Sequence, residues 1–224
     1  MAKAKRPAIR EDIPASPRQV LRGLEYHVDA LRSIGEEFHR RGWSLGTSSN
    51  YSVVIDQAPL ELLITASGKD KGRLTRTDFV LINSQGEPTT LQQPPASAER
   101  HLHIALAEAL GAGAILHTHS VWGTILSDHF HENGGIAIKG YEMLKGLEGV
   151  TSHEHREWIP IFENTQDIPV LAAQLRENFA QMTPTPHGFL IRRHGLYTWG
   201  KDLDQARRHV EVFEFLFEVL GRRL

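Results

Sequence analysis

The chain contains no cysteine. Disulfides, thiolate zinc sites, iron–sulfur clusters and a cysteine nucleophile are therefore excluded together. It also lacks a charge imbalance: 25 basic and 27 acidic side chains leave a formal net charge of -2. No overall field favours nucleic acid or an anionic membrane, so any anionic substrate has to be held by local groups. Apolar runs of the roughly 18 residues needed to span a membrane are missing as well. The opening MAKAKRPAIR is basic without the apolar core of a secretory signal, and residues 1–16 read as a mobile tail. Together these absences lead to the expectation of a cytoplasmic protein. No glycine-rich nucleotide signature follows any strand-like run.

What remains is ordinary globular material, 40% hydrophobic and 23% charged over 224 residues. That length suits one domain with a single core, expected over residues 17–224. Val20, Leu21, Leu24, Val28, Leu31, Ile34 and Phe38 recur at three- and four-residue steps and predict an amphipathic helix. Strands are predicted at Tyr51-Ser52-Val53-Val54-Ile55, over residues 60–65 and at Phe79-Val80-Leu81-Ile82, separated by turn chemistry. A helix over residues 97–110 ends at Gly111-Ala112-Gly113, and a buried strand, Ala114 to His119, follows it. Residues 169–182 read as helix and residues 188–193 as strand, which Leu196-Tyr197-Thr198-Trp199 extends or pairs with. The closing helix carries Ala206, Val210, Phe213, Phe217 and Leu220 on one stripe, suited to packing on the core or on another subunit. Strands grouped together and flanked by helices predict an α/β layered domain with a mixed, largely antiparallel sheet.

Among thirteen histidines, spacing decides which deserve attention. Side chains alternate faces along a strand, so His117 and His119 point the same way. Catalytic zinc sites take three protein ligands and leave one position open. His194, at a strand end just before Gly195, is the candidate third ligand, since a turn there lets the ring reach inward. Taken alone, a His-x-His pair is more often two histidines on a half-buried strand. His153-Glu154-His155-Arg156-Glu157 lacks the helical spacing of a H-E-x-x-H zinc motif and reads as a solvated loop. His101/His103 and His129/His131 are both expected at the surface; the first pair falls in a predicted helix, where i,i+2 neighbours do not face each other.

Gly111-Ala112-Gly113-Ala114-Ile115-Leu116-His117-Thr118-His119-Ser120 resembles the metal-binding strand of the class II aldolase family. Arg192-Arg193-His194-Gly195-Leu196-Tyr197-Thr198-Trp199-Gly200 resembles the segment carrying that family's third histidine. Residues 45–52 and 64–68 resemble its two phosphate loops, and the likeness covers about residues 17–224. Gly140-Tyr141-Glu142-Met143-Leu144-Lys145-Gly146 and Ile159-Pro160-Ile161-Phe162-Glu163-Asn164-Thr165 look like the branch that dehydrates a methylthio-pentulose phosphate in methionine salvage.

The resemblance implies a three-layer α/β/α fold and one Zn2+ per subunit on His117, His119 and His194. It further implies a small sugar-phosphate substrate and a homotetramer with active sites near subunit boundaries. Glu142 is implied as the acid/base residue, with a pKa raised in a dry pocket. Asn50, Ser67, Gly68 and Ser97 are implied around the phosphate, where small residues let backbone N–H groups approach, with Lys69 or Lys71 assisting. Ala96-Ser97-Ala98-Glu99 matches the Pro-Ser-Ser-Glu segment that bears the aldolases' catalytic glutamate, but departs from it at Ala96 and Ala98. Glu99 is accordingly either a pocket residue or a helix-start glutamate favoured by the dipole. Aldol cleavage, 4-epimerisation and a non-catalytic adducin-like scaffold remain the alternatives.

Overall fold

The computed structural model describes residues 21–224. The tail expected over residues 1–16 lies outside the described residues, as does Val20. The first helix, α1 (Glu25–Arg40), buries Val28, Leu31, Ile34 and Phe38 as their spacing requires. Its start at Glu25 is later than the apolar pattern alone suggests.

Eight strands follow: β1 (Asn50–Gln57), β2 (Leu60–Thr65), β3 (Phe79–Asn83), β4 (Ala114–Thr118), β5 (Gly135–Ile138), β6 (Glu157–Phe162), β7 (Gly188–Ile191) and β8 (Gly195–Gly200). They form one sheet in the order β3-β2-β1-β4-β8-β7-β6-β5. Every neighbouring pair is antiparallel except β6 and β7. The largely antiparallel mixed sheet expected from sequence is thus what the chain builds.

Four more helices cover it: α2 (Arg100–Leu110), α3 (Val121–His129), α4 (Ile168–Gln181) and α5 (Leu203–Gly221). Strand alternation sorts the core into layers. Leu62 and Ile64 of β2 pack with Leu102, Leu106, Leu171 and Leu175 from α2 and α4 on one side. Leu63 packs with Leu31, Phe38 and Val210 from α1 and α5 on the other. A third cluster joins Leu126 of α3, Phe213 and Phe217 of α5, and Ile136, Ile159 and Leu190 of the far strands. The closing helix therefore spends its stripe on this chain's own core. Phe213 and Phe217 on that stripe are fully buried, worth about 1.5–3 kcal/mol each.

Helix ends follow local chemistry. Asp202 caps α5, Asp167 caps α4 and Ser120 caps α3, each accepting a backbone N–H with its side chain. Gly111 ends α2 in the left-handed conformation (φ 62°). Three elements escaped the sequence pattern: β5, β6 and α3. β5 has only four residues and β6 contains Pro160, which weakens a strand signal.

Central strands β4 and β8 are buried along their whole lengths. They can lie this deep because Gly113, just before β4, has no side chain: a Cβ there would sit 1.9 Å from the Lys201 carbonyl oxygen. Gly113→Ala is expected to cost about 1–3 kcal/mol through backbone displacement. The check is a urea titration, in which the midpoint falls while the slope stays unchanged.

Candidate metal centre and substrate cavity

β4 and β8 pair in register, with His117 opposite Tyr197 and Thr118 opposite Leu196. The strand ends at Thr118, and His119 continues beyond it with its N–H donating to the Trp43 carbonyl at 2.7 Å. His117 and His119 thus keep the shared face that a two-residue step dictates. His194 arrives from the turn between β7 and β8. There the left-handed residue is Arg193 (φ 53°), not the glycine beside it. Its backbone N–H donates to Ser127 Oγ at 3.0 Å, and Asp128 takes Arg192 Nε and Arg193 Nε at 2.9 Å each. Gly195 is required for a different reason, since a Cβ on it would lie 2.0 Å from the Thr118 carbonyl oxygen.

The three Nε2 atoms converge: 2.7 Å between His117 and His119, 3.1 Å between His119 and His194, and 3.3 Å between His117 and His194. Nitrogens in a tetrahedral zinc shell stand about 3.3–3.4 Å apart. His117 Nδ1 donates to the Leu196 carbonyl at 2.9 Å, so its Nε2 carries the lone pair. Burial is the main influence lowering the pKa of all three, with neighbouring imidazoles adding to it at His117 and His119 and Glu99 opposing it at His194. His119 falls to about 3. Three neutral imidazoles facing one another, His117 buried and the other two partly so, suit a soft or borderline divalent cation, and this donor set fits zinc.

A cavity of about 310 Å3 opens beside them. Its walls include His119, His194, Asn50, Ser67, Gly68, Ser97, Glu99 and Lys71, so every expected phosphate-side residue lies on it. Glu99 stands next to the histidines, with Oε2 3.5 Å from His117 Nε2 and Oε1 3.6 Å from His194 Nε2. Lys71 is buried, which is the chief cause of a pKa lowered to about 8. Lys69 instead pairs with Asp78 at 2.8 Å.

Sequence reasoning missed a buried chain of hydrogen bonds behind Glu99. Ser52 Oγ lies 2.7 Å from His103 Nδ1, and His103 Nε2 contacts Asn50 Oδ1. Asn50 Nδ2 donates to Glu99 Oε2 at 2.6 Å. An amide oxygen can only accept, so Nε2 carries the proton and the Ser52 hydroxyl donates to Nδ1. His103, expected at the surface, is fully buried, and burial lowers its pKa to about 3. The helix rule had held that His101 and His103 do not face each other; one of the two faces inward.

Glu142 is elsewhere in the chain. It opens a 3-10 turn, Glu142–Gly146, with a side chain 69% exposed. Lys145 at 2.5 Å, ahead of His153 at 3.1 Å, holds its carboxyl below the usual range. The raised pKa expected of it is not found, because its carboxyl lies beside Lys145 on an exposed turn rather than against a dry wall.

The chain belongs to the family described as "Class II Aldolase and Adducin N-terminal domain", which matches residues 29–220. L-fuculose-1-phosphate aldolase from Thermus thermophilus shares its fold, with a TM-score of 0.70 at 23% identity over 88% of this chain and 93% of that one. Within the family the chain is similar to methylthioribulose-1-phosphate dehydratases, hydro-lyases by name. The protein of that name from Pectobacterium atrosepticum is 47% identical over 88% of this chain and 93% of its own length. The one from Marinobacter nauticus is 43% identical over 86% and 92%.

His103 provides a test of this buried network. An unfolded histidine titrates near ~6.5, whereas His103 stays neutral to about 3 when folded. Below pH 6.5 the unfolded state binds more protons, so stability falls as pH falls, by up to about 1.4 kcal/mol per pH unit for one such group. In metal-free protein, His103→Gln is expected to flatten the decline of the urea midpoint between pH 6.5 and 4. An unchanged slope would mean that His103 protonates in the folded state.

Proposed function

We propose that this chain is a zinc-dependent dehydratase converting 5-methylthioribulose 1-phosphate to 5-methylthio-2,3-diketopentyl 1-phosphate in methionine salvage. The observation that carries the proposal is the three-histidine cluster with Glu99 on one cavity, in a chain 47% identical to a dehydratase of that name. A bound zinc ion would act as a Lewis acid toward the substrate's carbonyl oxygen and so acidify the neighbouring C–H bond.

The rest of the chemistry belongs to side chains and loops. Backbone N–H groups around Gly46–Asn50, Ser67, Gly68 and Ser97 hold the phosphate, and Lys71 adds a positive charge at the cavity wall. A carboxylate takes the proton from C3. The C4–O bond then breaks, the hydroxyl leaves as water with a returned proton, and the resulting enol tautomerises to the second ketone. Asn50 serves more as the donor that orients Glu99 than as a phosphate ligand, since its amide is engaged at 2.6 Å.

Glu142 is the proposed acid/base residue. Its exposure and its absence from the cavity walls of its own subunit lead to a specific form of the proposal: in a homotetramer, Glu142 of one subunit completes the cavity of the next. Glu99, already beside the histidines, would orient substrate and the metal-side oxygens. The rival aldolase reading shares the same metal chemistry and differs in which bond breaks.

Incubation with 5-methylthioribulose 1-phosphate is expected to yield the diketone and water, whereas stoichiometric aldehyde release would establish aldol cleavage instead. His119→Ala should lose bound metal, and Glu142→Gln should keep it while losing at least about a hundredfold in kcat. Mixing these two inactive variants under subunit exchange tests the shared site. Recovered turnover is the expected result, and none would place Glu142's role within its own subunit or nowhere.

A further inference from the structure

A second group of metal-type donors lies away from the cavity, in the segment that read as a solvated loop. Glu157 opens β6 and is buried, and the ligating atoms of His155, Glu157 and His187 all lie within 4.8 Å of one another. Glu157 Oε2 is 2.7 Å from His155 Nε2 and 3.0 Å from His187 Nδ1. Glu157 Oε1 accepts the His187 backbone N–H at 2.9 Å, which holds the carboxylate in place. None of the three lines the cavity beside His119 and His194.

The outer contact of His187 decides which of its nitrogens faces the group. Nε2 lies 2.8 Å from the Glu148 carbonyl oxygen, and a carbonyl can only accept, so Nε2 bears a proton. Nδ1 then meets the carboxylate either with a second proton or with a lone pair shared with a cation. A metal-bound histidine commonly donates its remote N–H to a carbonyl in this way, and His117 makes the same arrangement with Leu196 at 2.9 Å. His155 and His187 are 28% and 18% exposed in their side chains, so solvent can reach an open coordination position.

We infer that His155 Nε2, the Glu157 carboxylate and His187 Nδ1 form a second divalent-metal site, distinct from the three-histidine centre and independent of the proposed reaction. Two imidazoles and one carboxylate suit zinc or a neighbouring transition metal, with water as fourth ligand, and disfavour calcium and magnesium, which take oxygen shells. Such an ion would clip the start of β6 to the loop before β7. Its role is structural, since the substrate loops lie on another cavity.

The test counts metal. Chelator-stripped protein is saturated with Zn2+, passed through a desalting column and assayed for zinc per chain. Wild type should retain two equivalents and H119A/H194A one, and H119A/H194A/H155A should retain none. The one ion left in H119A/H194A should also raise that variant's Tm when zinc is added, with no such rise in the triple variant. One equivalent in wild type with none in H119A/H194A would overturn the inference and leave a protonated His187 paired with Glu157. So would an equivalent that survives His155→Ala. Because the wild-type and H119A/H194A counts do not depend on the His155 variant, the inference stays testable if that variant fails to fold.

Discussion

Three imidazole nitrogens are brought within 3.3 Å of one another, and burial lowers the pKa of each ring, so that none readily takes a proton of its own. Much of the surrounding structure serves that crowding. The β4–β8 pairing places His117, and the continuation of β4 toward Trp43 places His119. A left-handed Arg193, tied to Ser127 and Asp128, swings His194 inward, and Gly195 lets that turn lie against Thr118. A fold that tolerates this arrangement has committed its most buried strands to it.

How much of this could be read from sequence depends on the physical period involved. The two-residue repeat of a strand was enough to pair His117 with His119, and the three- to four-residue repeat was enough for α1, α2, α4 and α5. His194 lies in a turn, which has no period; its place at a strand end before Gly195 made it a candidate, and the family resemblance added the rest. Glu99 was ambiguous because a helix-start glutamate needs no further reason to exist, and Asn50 with its 2.6 Å bond supplies one that spacing cannot reveal. His103 was misjudged because i,i+2 geometry says which residues do not meet, not which one faces the sheet. Glu157 was misjudged because its segment looked hydrophilic, yet its carboxylate is buried between His155 and His187.

The two carboxylates illustrate how one residue type divides labour by environment. Glu99 is held in place by an amide and backed by a neutral, buried histidine, so its orientation is fixed before any ligand arrives. Glu142 sits among water, Lys145 and His153, where its charge is easily borne and its proton affinity is low. Entering a drier cavity would reverse that, because desolvation raises a carboxyl's pKa. As the proposed base, Glu142 would gain its strength only when the site around it is complete.

The location of the histidines on the middle of the sheet has a kinetic side. Strands at sheet edges and chain ends open readily, while central strands open only with the whole molecule. β4 and β8 have neighbours on both sides and helices on both faces. An ion held by His117 therefore has no fraying route out: it exchanges through the open cavity or waits for global unfolding. The lifetime of such a bound state would be set by solvent access to the cavity, and amide protons along these two strands should be among the slowest in the chain to exchange.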